Sequence, residues 1–317
     1  MLLKIAKATA LVALTTCALY ADNHGGKHFD AQAEKDRLAL IKYFEAKFED
    51  PLKNRNTFFP YSTDDELKNN ILGGLKKDDF ATGNYAFSKN GKASYDEIKE
   101  FPPTEEWVEV GEELYNKAFA NGKSFKDCFP EPEVTGSMYP YFDNEKKDVQ
   151  TLTQVINECL VANGEKKWGT SKGNMAVLQA YFAASATEAE KVVDVKIDSA
   201  EAAEAYEKGK EYYYTQRGYL KLNCANCHTV GAGQRVRNES LSQLLGQTTH
   251  FPVYRLKWAV SDKNNNGLGT LERRMSGCVK DQGQVPPGNT STEMKNLLFF
   301  MAYMNNGMKF DGPDFRK

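Results

Sequence analysis

Several things are scarce in this 317-residue chain. Beyond residue 21 the longest unbroken apolar run is Leu297 to Met304, eight residues, against the roughly 20 that a membrane-spanning helix needs. Net charge is small. Lys plus Arg number 41 and Asp plus Glu 43, so no basic field marks a general nucleic-acid binder. Histidine occurs four times, at His24, His28, His228 and His250, and this leaves too few ligands of suitable type to complete a Cys/His zinc site. Strand-like and helix-like segments do not alternate, which removes the βαβ setting of a thioredoxin-type redox centre. Apolar material is not scarce: 41% of residues are hydrophobic and 12% aromatic, enough for a core and too much for a chain disordered throughout.

The start of the chain reads as an address. Lys4 and Lys7 precede fourteen uncharged residues, Ala8 to Ala21, with small residues at Ala18 and Ala21. That is the pattern of a secretory signal peptide over residues 1–21, cut after Ala18 or Ala21. The expected destination is an oxidising compartment, with no membrane span in the mature chain.

Six cysteines are present: Cys17, Cys128, Cys159, Cys224, Cys227 and Cys278. Cys17 falls within the signal, so five remain and pairing cannot use them all. Cys224-Ala225-Asn226-Cys227-His228 is a C-x-x-C-H haem attachment motif. The spacing puts both thiols on one helical turn, within reach of the two vinyl groups of a haem. The adjacent imidazole then serves as an iron ligand.

From about Thr104 the chain repeats itself. Gly111-Glu112-Glu113-Leu114-Tyr115 reaches Cys128 after seventeen residues; Gly209-Lys210-Glu211-Tyr212-Tyr213 reaches Cys224 and Cys227 after fifteen and eighteen. Each copy has a later lone cysteine, Cys159 or Cys278, followed sixteen residues on by Met175 or Met294. Met175, Leu178, Tyr181 and Phe182, like Met294, Leu297, Phe300 and Met301, form the apolar stripe of a buried helix. Duplication explains these offsets. A helix over Ala200 to Arg217 is expected to be capped by Asp198 with Glu201, and the last helix by Thr290 with Glu293. Gly218 is placed to end the former.

The reading is an all-α chain of two tandem cytochrome c-like domains, 104–190 and 198–317, behind an irregular N-terminal extension over 22–103. In that extension a helix is expected from Asp36 to Phe48, with short helices in long loops after it. The charged stretch from Thr187 to Ile197 reads as a linker. On the repeat mapping, Cys128 and Cys159 face each other across a pocket without haem. Their disulfide would close a loop of about 30 residues, stabilising by on the order of 3 kcal/mol. The same mapping puts Cys278 over the haem of the second copy, opposite His228. Met275, three residues away, competes as the sixth ligand. Core packing is the expectation for Met294 and Met301, and a loop or packing role for His250.

The chain resembles the SoxA family of bacterial thiosulfate oxidation from about Gly111 to Gly307. The resemblance rests on Cys128-Phe129-Pro130, Tyr139-Pro140-Tyr141-Phe142, Cys224 to His228 and, most specifically, Gly269-Thr270-Leu271-Glu272-Arg273-Arg274-Met275-Ser276-Gly277-Cys278. It implies a one-haem member with one covalently bound haem c on Cys224 and Cys227. The iron ligands would be His228 and Cys278, the latter often a persulfide, with Arg274 lining the site. It also implies an L-cysteine S-thiosulfotransferase reaction, the oxidative joining of thiosulfate to a cysteine of the carrier protein SoxYZ. A small haem subunit, SoxX, would be the partner, and electrons would pass through haem to a cytochrome c acceptor. The stretch from Lys280 to Gly288, KDQGQVPPG, departs from the family's pattern, and that loop borders the site.

The residues themselves support this chemistry. Arg274 and Cys278 are i and i+4 and share a helix face. The planar guanidinium suits an oxyanion, with a haem propionate or plain solvent as the alternative partner, and a thiolate is the nucleophile that sulfur transfer needs. Arg273 is expected to point elsewhere, as a surface charge. A plain electron-transfer cytochrome and a carrier-independent thiosulfate dehydrogenase are the alternatives.

Overall fold

The structure, a computed structural model, describes residues 28–236, 239–261 and 266–316. The signal peptide expected over 1–21 lies outside the described residues. Helices dominate, and the duplication is visible in how they cross. In the first copy the helix Glu105–Asn116 packs on Asn174–Glu188; in the second, Ala200–Tyr214 packs on Thr292–Met304. Both crossings are made by glycine. A Cβ on Gly111 would stand 2.5 Å from the Val177 carbonyl oxygen, and one on Gly209 would stand 2.0 Å from that of Asn296. Val177 and Asn296 each lie eighteen residues after their copy's lone cysteine. Four residues beyond each glycine a buried tyrosine hydroxyl ties down the next segment. Tyr115 donates to the Phe129 carbonyl at 2.8 Å, and Tyr213 shares a 3.0 Å bond with the Thr229 hydroxyl.

The first copy is closed by a Cys128–Cys159 disulfide with a Cα–Cα distance of 6.2 Å. Around it pack Phe125, Phe129, Ile156, Leu160 and Phe182, so aromatic and aliphatic side chains fill its interior. All four stripe residues of the second copy, Met294, Leu297, Phe300 and Met301, are buried; in the first, only Tyr181 keeps partial exposure. Capping falls one residue later than expected. Ser199 rather than Asp198 accepts from the Ala202 amide, and Ser291 rather than Thr290 accepts from the Met294 amide. In each case the serine is the last extended residue before the helix, and the N-cap hydroxyl must sit there to reach the third amide. The former helix ends at Tyr214, and Gly218 (φ +66°) turns the loop beyond it.

The N-terminal extension is built of the helices Ala31–Glu49, Arg55–Phe58, Asp64–Asn70 and Lys89–Glu100, with a 3-10 segment over Lys77–Phe87. Its Phe44, Phe48, Phe59, Phe80 and Phe87 join one core with Tyr206, Tyr213 and the Thr292–Met304 helix of the second copy. The stretch expected to be a linker is also part of that core. Val193, Val195 and Ile197 are buried while Asp194 and Lys196 face outward, an alternation of period two. Val193 exchanges backbone bonds with Met308 and Gly307. A small sheet sets Val253–Tyr254 between Leu268–Gly269, antiparallel, and Asp314–Phe315, parallel.

Candidate active site

The haem-motif segment follows the Ala200–Tyr214 helix. Asn223 and Asn226 exchange side chain-to-amide bonds of 2.9 and 2.8 Å, and Asn223 Nδ2 donates to the Tyr214 carbonyl at 2.6 Å. This knot starts a widened helical turn over Asn226–Val230. His228 is held twice. Its Nδ1 donates to the Ser242 carbonyl at 2.8 Å, and its own carbonyl accepts from the Leu244 amide at 2.9 Å. With Nδ1 committed to Ser242, Nε2 is the nitrogen left to face Cys278, and once it gives up its proton it has the lone pair an iron ligand needs.

Facing it is the helix Leu271–Asp281, with Thr270 as N-cap. The start of this helix is pinned to the first copy. Thr270 Oγ1 donates to the Thr170 carbonyl at 2.8 Å, and the Thr270 amide to the Ser171 carbonyl at 3.1 Å. Further along, Ser276 bonds Asn289, which donates to the side chains of Thr170 and Ser171 at 3.0 Å each. The copy expected to lack haem thus serves as the platform for the helix that carries Arg274 and Cys278.

Cys278 keeps partial exposure, toward the cleft it lines. Burial pushes its thiol up, but the Arg274 charge, a hydrogen bond from His228 and the His228 charge outweigh burial and hold it at about 7. Cys224 is pushed up to about 12 by burial and then by the negative charge of Cys278, and Cys227 is raised for the same reasons. Three sulfurs and an imidazole therefore share one neighbourhood, with Cys278 the readiest thiolate. Arg274 makes no side-chain hydrogen bond or carboxylate pair among the described residues, so its fork is open to a ligand.

The cleft has two lobes sharing His228, Gln247, Met275 and Cys278. One, of about 440 Å³, is walled by Tyr213, Cys224, Leu244, Val279, Leu297 and Met301. The other, of about 620 Å³, is lined by Arg255, Arg274, Arg316, His250 and Asn84 among others. Two thiols one turn apart, an imidazole whose Nε2 faces a low-pKa thiol, and an apolar slot that opens to a cationic end suit a haem c. Gln247, which lines both lobes, has a buried Nε2 without a protein hydrogen-bond partner.

The structure brings together Cys224, Cys227, His228, Arg274 and Cys278. Met275 lines both lobes beside Cys278, and Met301 lines the apolar one. Arg273 does point away, but it is not a solvated surface charge. Its guanidinium lies 4.1 Å from the centre of the Trp258 ring, Nη1 donates to the Leu268 carbonyl at 3.0 Å, and burial lowers its pKa. Stacking on an indole is favourable for a weakly hydrated cation. His250 is buried, donates from Nδ1 to the Gly246 carbonyl at 2.6 Å, and also borders the cleft. Burial and the Arg316 charge hold it well below the ordinary histidine value, and hence neutral.

Arg316, Asn84 and Gln247 were not legible as site residues, since no local motif surrounds them, and Arg255 was not singled out either. A further one is Lys47 of the first helix. It is fully buried and donates to the carbonyl of Val230, two residues after His228, at 2.6 Å.

Fold and site together define a tandem c-type cytochrome. The model of the family described as SoxA/TsdA, cytochrome c domain, matches residues 110–190. The L-cysteine S-thiosulfotransferase subunit SoxA of Chlorobaculum tepidum is 46% identical over 243 residues, 77% of this chain and 82% of that protein. The subunit of the same name from Allochromatium vinosum is 38% identical over 246 residues, 77% of this chain and 84% of that one. The crystal structure of SoxXA from P. pantotrophus superposes with a TM-score of 0.63 at 31% identity, covering 71% of this chain and 84% of that one. The chain belongs to the SoxA family. Among the described residues no helix is long and apolar enough to cross a membrane.

Proposed function

We propose that this chain is the A subunit of an L-cysteine S-thiosulfotransferase, with Cys278 as sulfur nucleophile and Arg274 as the cation that receives thiosulfate. The observation that carries the reading is the Arg274–Cys278 pair facing His228 across the cleft, in a chain 46% identical to a protein of that name. Cys224 and Cys227 would hold one haem c as thioethers, and His228 Nε2 and the Cys278 sulfur would ligate its iron. Location is the periplasm. The partner is a SoxX-type haem subunit, a reading supported by the likeness to the SoxXA crystal structure.

Arg274 pairs with the sulfonate oxygens of thiosulfate and turns its outer sulfur toward Cys278. The Cys278 thiolate and that outer sulfur form an S–S bond, and two electrons leave. A carrier cysteine, of the SoxYZ type, then attacks the same outer sulfur and loses its proton. Cys278 departs as thiolate, and the carrier keeps the S–S–sulfonate group. Bound haem c supplies a one-electron acceptor, so the second electron calls for the partner subunit's haem, with a cytochrome c acceptor beyond.

The test uses the exported, haem-loaded complex with thiosulfate, carrier and an electron acceptor. Cys278→Ser should abolish turnover at unchanged haem content, and Arg274→Gln should lower kcat/KM by roughly 10- to 100-fold. Full turnover by Cys278→Ser overturns the reading. Turnover without carrier would favour a thiosulfate dehydrogenase.

A further inference from the structure

The polar lobe holds more positive charge than thiosulfate binding uses, and its far wall comes from a distant part of the chain. Arg316 lies there beside the strand Asp314–Phe315. Its Nη1 pairs with Asp314, its Nη2 donates to the Ala81 carbonyl at 3.1 Å, and its Nε is buried with no protein partner. Asp314 is fully buried; the Tyr95 hydroxyl stands 3.1 Å from it and Lys99 Nζ 3.7 Å. Lys99 and Tyr95 also engage Asp311, at 3.0 and 2.8 Å. Both belong to the Lys89–Glu100 helix of the N-terminal extension, so that extension braces Arg316 in the cleft.

The chemistry of haem says what such a cation meets. A haem carries its two propionates on the edge away from its vinyls. The vinyl edge is set by Cys224, which lines the apolar lobe. The carboxylates therefore fall at the other end, in the lobe lined by Arg316 and Arg255. A carboxylate buried without a cation or donors is costly, and a braced guanidinium on the wall of that lobe meets that need.

We infer that Arg316 binds a haem propionate, held for that purpose by Asp314 and the N-terminal extension, which leaves Arg274 free for substrate. The inference rests on the haem reading above. It is tested on the exported holoprotein with Arg316→Gln and Arg316→Lys, by three readouts. Haem content by the pyridine haemochrome assay should be retained in wild type and both variants; its absence from the wild type would sink the haem reading itself. The midpoint potential should shift downward in Arg316→Gln, because a cation that disfavours ferric iron is gone, and stay close to wild type in Arg316→Lys. The propionate bending band in resonance Raman should move in both variants, since lysine keeps the charge but not the planar fork. An Arg316→Gln holoprotein with unchanged potential and unchanged band overturns the inference and leaves Arg316 as a partner of Asp314 alone. If Arg316→Gln does not accumulate, an unmoved band in Arg316→Lys overturns it equally.

Discussion

Arg274 and Cys278 stand one turn apart on the Leu271–Asp281 helix, and the charge of the guanidinium offsets the effect of burial on the thiol. In the cofactor-free chain, iodoacetamide labelling of Cys278 should therefore rise with pH through a midpoint of about 7. Cys224, pushed up to about 12, should stay unlabelled at neutral pH. Arg274→Ala should move the Cys278 midpoint upward. Peptide mass spectrometry reads all three, and faster labelling of Cys224 than of Cys278 would contradict the assignment.

The glycine crossings give a sharper structural test. An added Cβ at Gly209 meets the Asn296 carbonyl oxygen at 2.0 Å, backbone that cannot swing aside. Gly209→Ala should cost about 1–3 kcal/mol or more and lower the Tm of the second copy. Gly111→Ala, with 2.5 Å to Val177, should destabilise the other copy. Calorimetry of both variants checks the assignment.

Replacing Cys128 and Cys159 together by serine opens a loop with a sequence separation of 31. The expected loss is about 3–4 kcal/mol by chain entropy. Haem attachment to Cys224 and Cys227 should persist, because the cores are separate. Turnover should fall more than haem content does, since Thr170 and Ser171 of the weakened copy hold the Arg274 helix. Denaturant titration alongside haem quantitation distinguishes these effects.

Lys47 is pushed down to about 8 by burial among Phe48 and Phe59. Between about pH 8 and the ordinary lysine value, the unfolded chain holds a proton that the folded chain releases. Stability then rises with pH across that window, and the full cost of the buried charge is present below it. Lys47→Met should remove that rise. The check is the difference in unfolding free energy between wild type and variant from pH 7.5 to 9.5; a difference that does not change with pH would refute it.

The motif Cys224–His228, the duplication and the Arg274–Cys278 register were legible because each depends on spacing within one helix or one repeat, where backbone geometry dictates which side chains meet. Even the Cys128–Cys159 bridge followed from aligning one copy on the other. The period-two burial of Val193, Val195 and Ile197 was readable in principle, but charges at Asp194 and Lys196 masked it. Arg273 misled because a cation beside a polar run reads as surface until the facing Trp258 is known.

The sequence by itself determined the two-copy cytochrome plan, the C-x-x-C-H motif at Cys224–His228 and the helix that presents a thiol and a guanidinium together. Only the tertiary structure decided that Lys47, Asn84, Arg255 and Arg316 border or brace the same cleft, that the N-terminal extension shares the core of the second copy, and that Thr170 and Ser171 carry the helix of Cys278. These are contacts between segments far apart along the chain, such as the parallel pairing of Val253 with Asp314. No local periodicity encodes them; they are selected when separate apolar faces find one another and bury together.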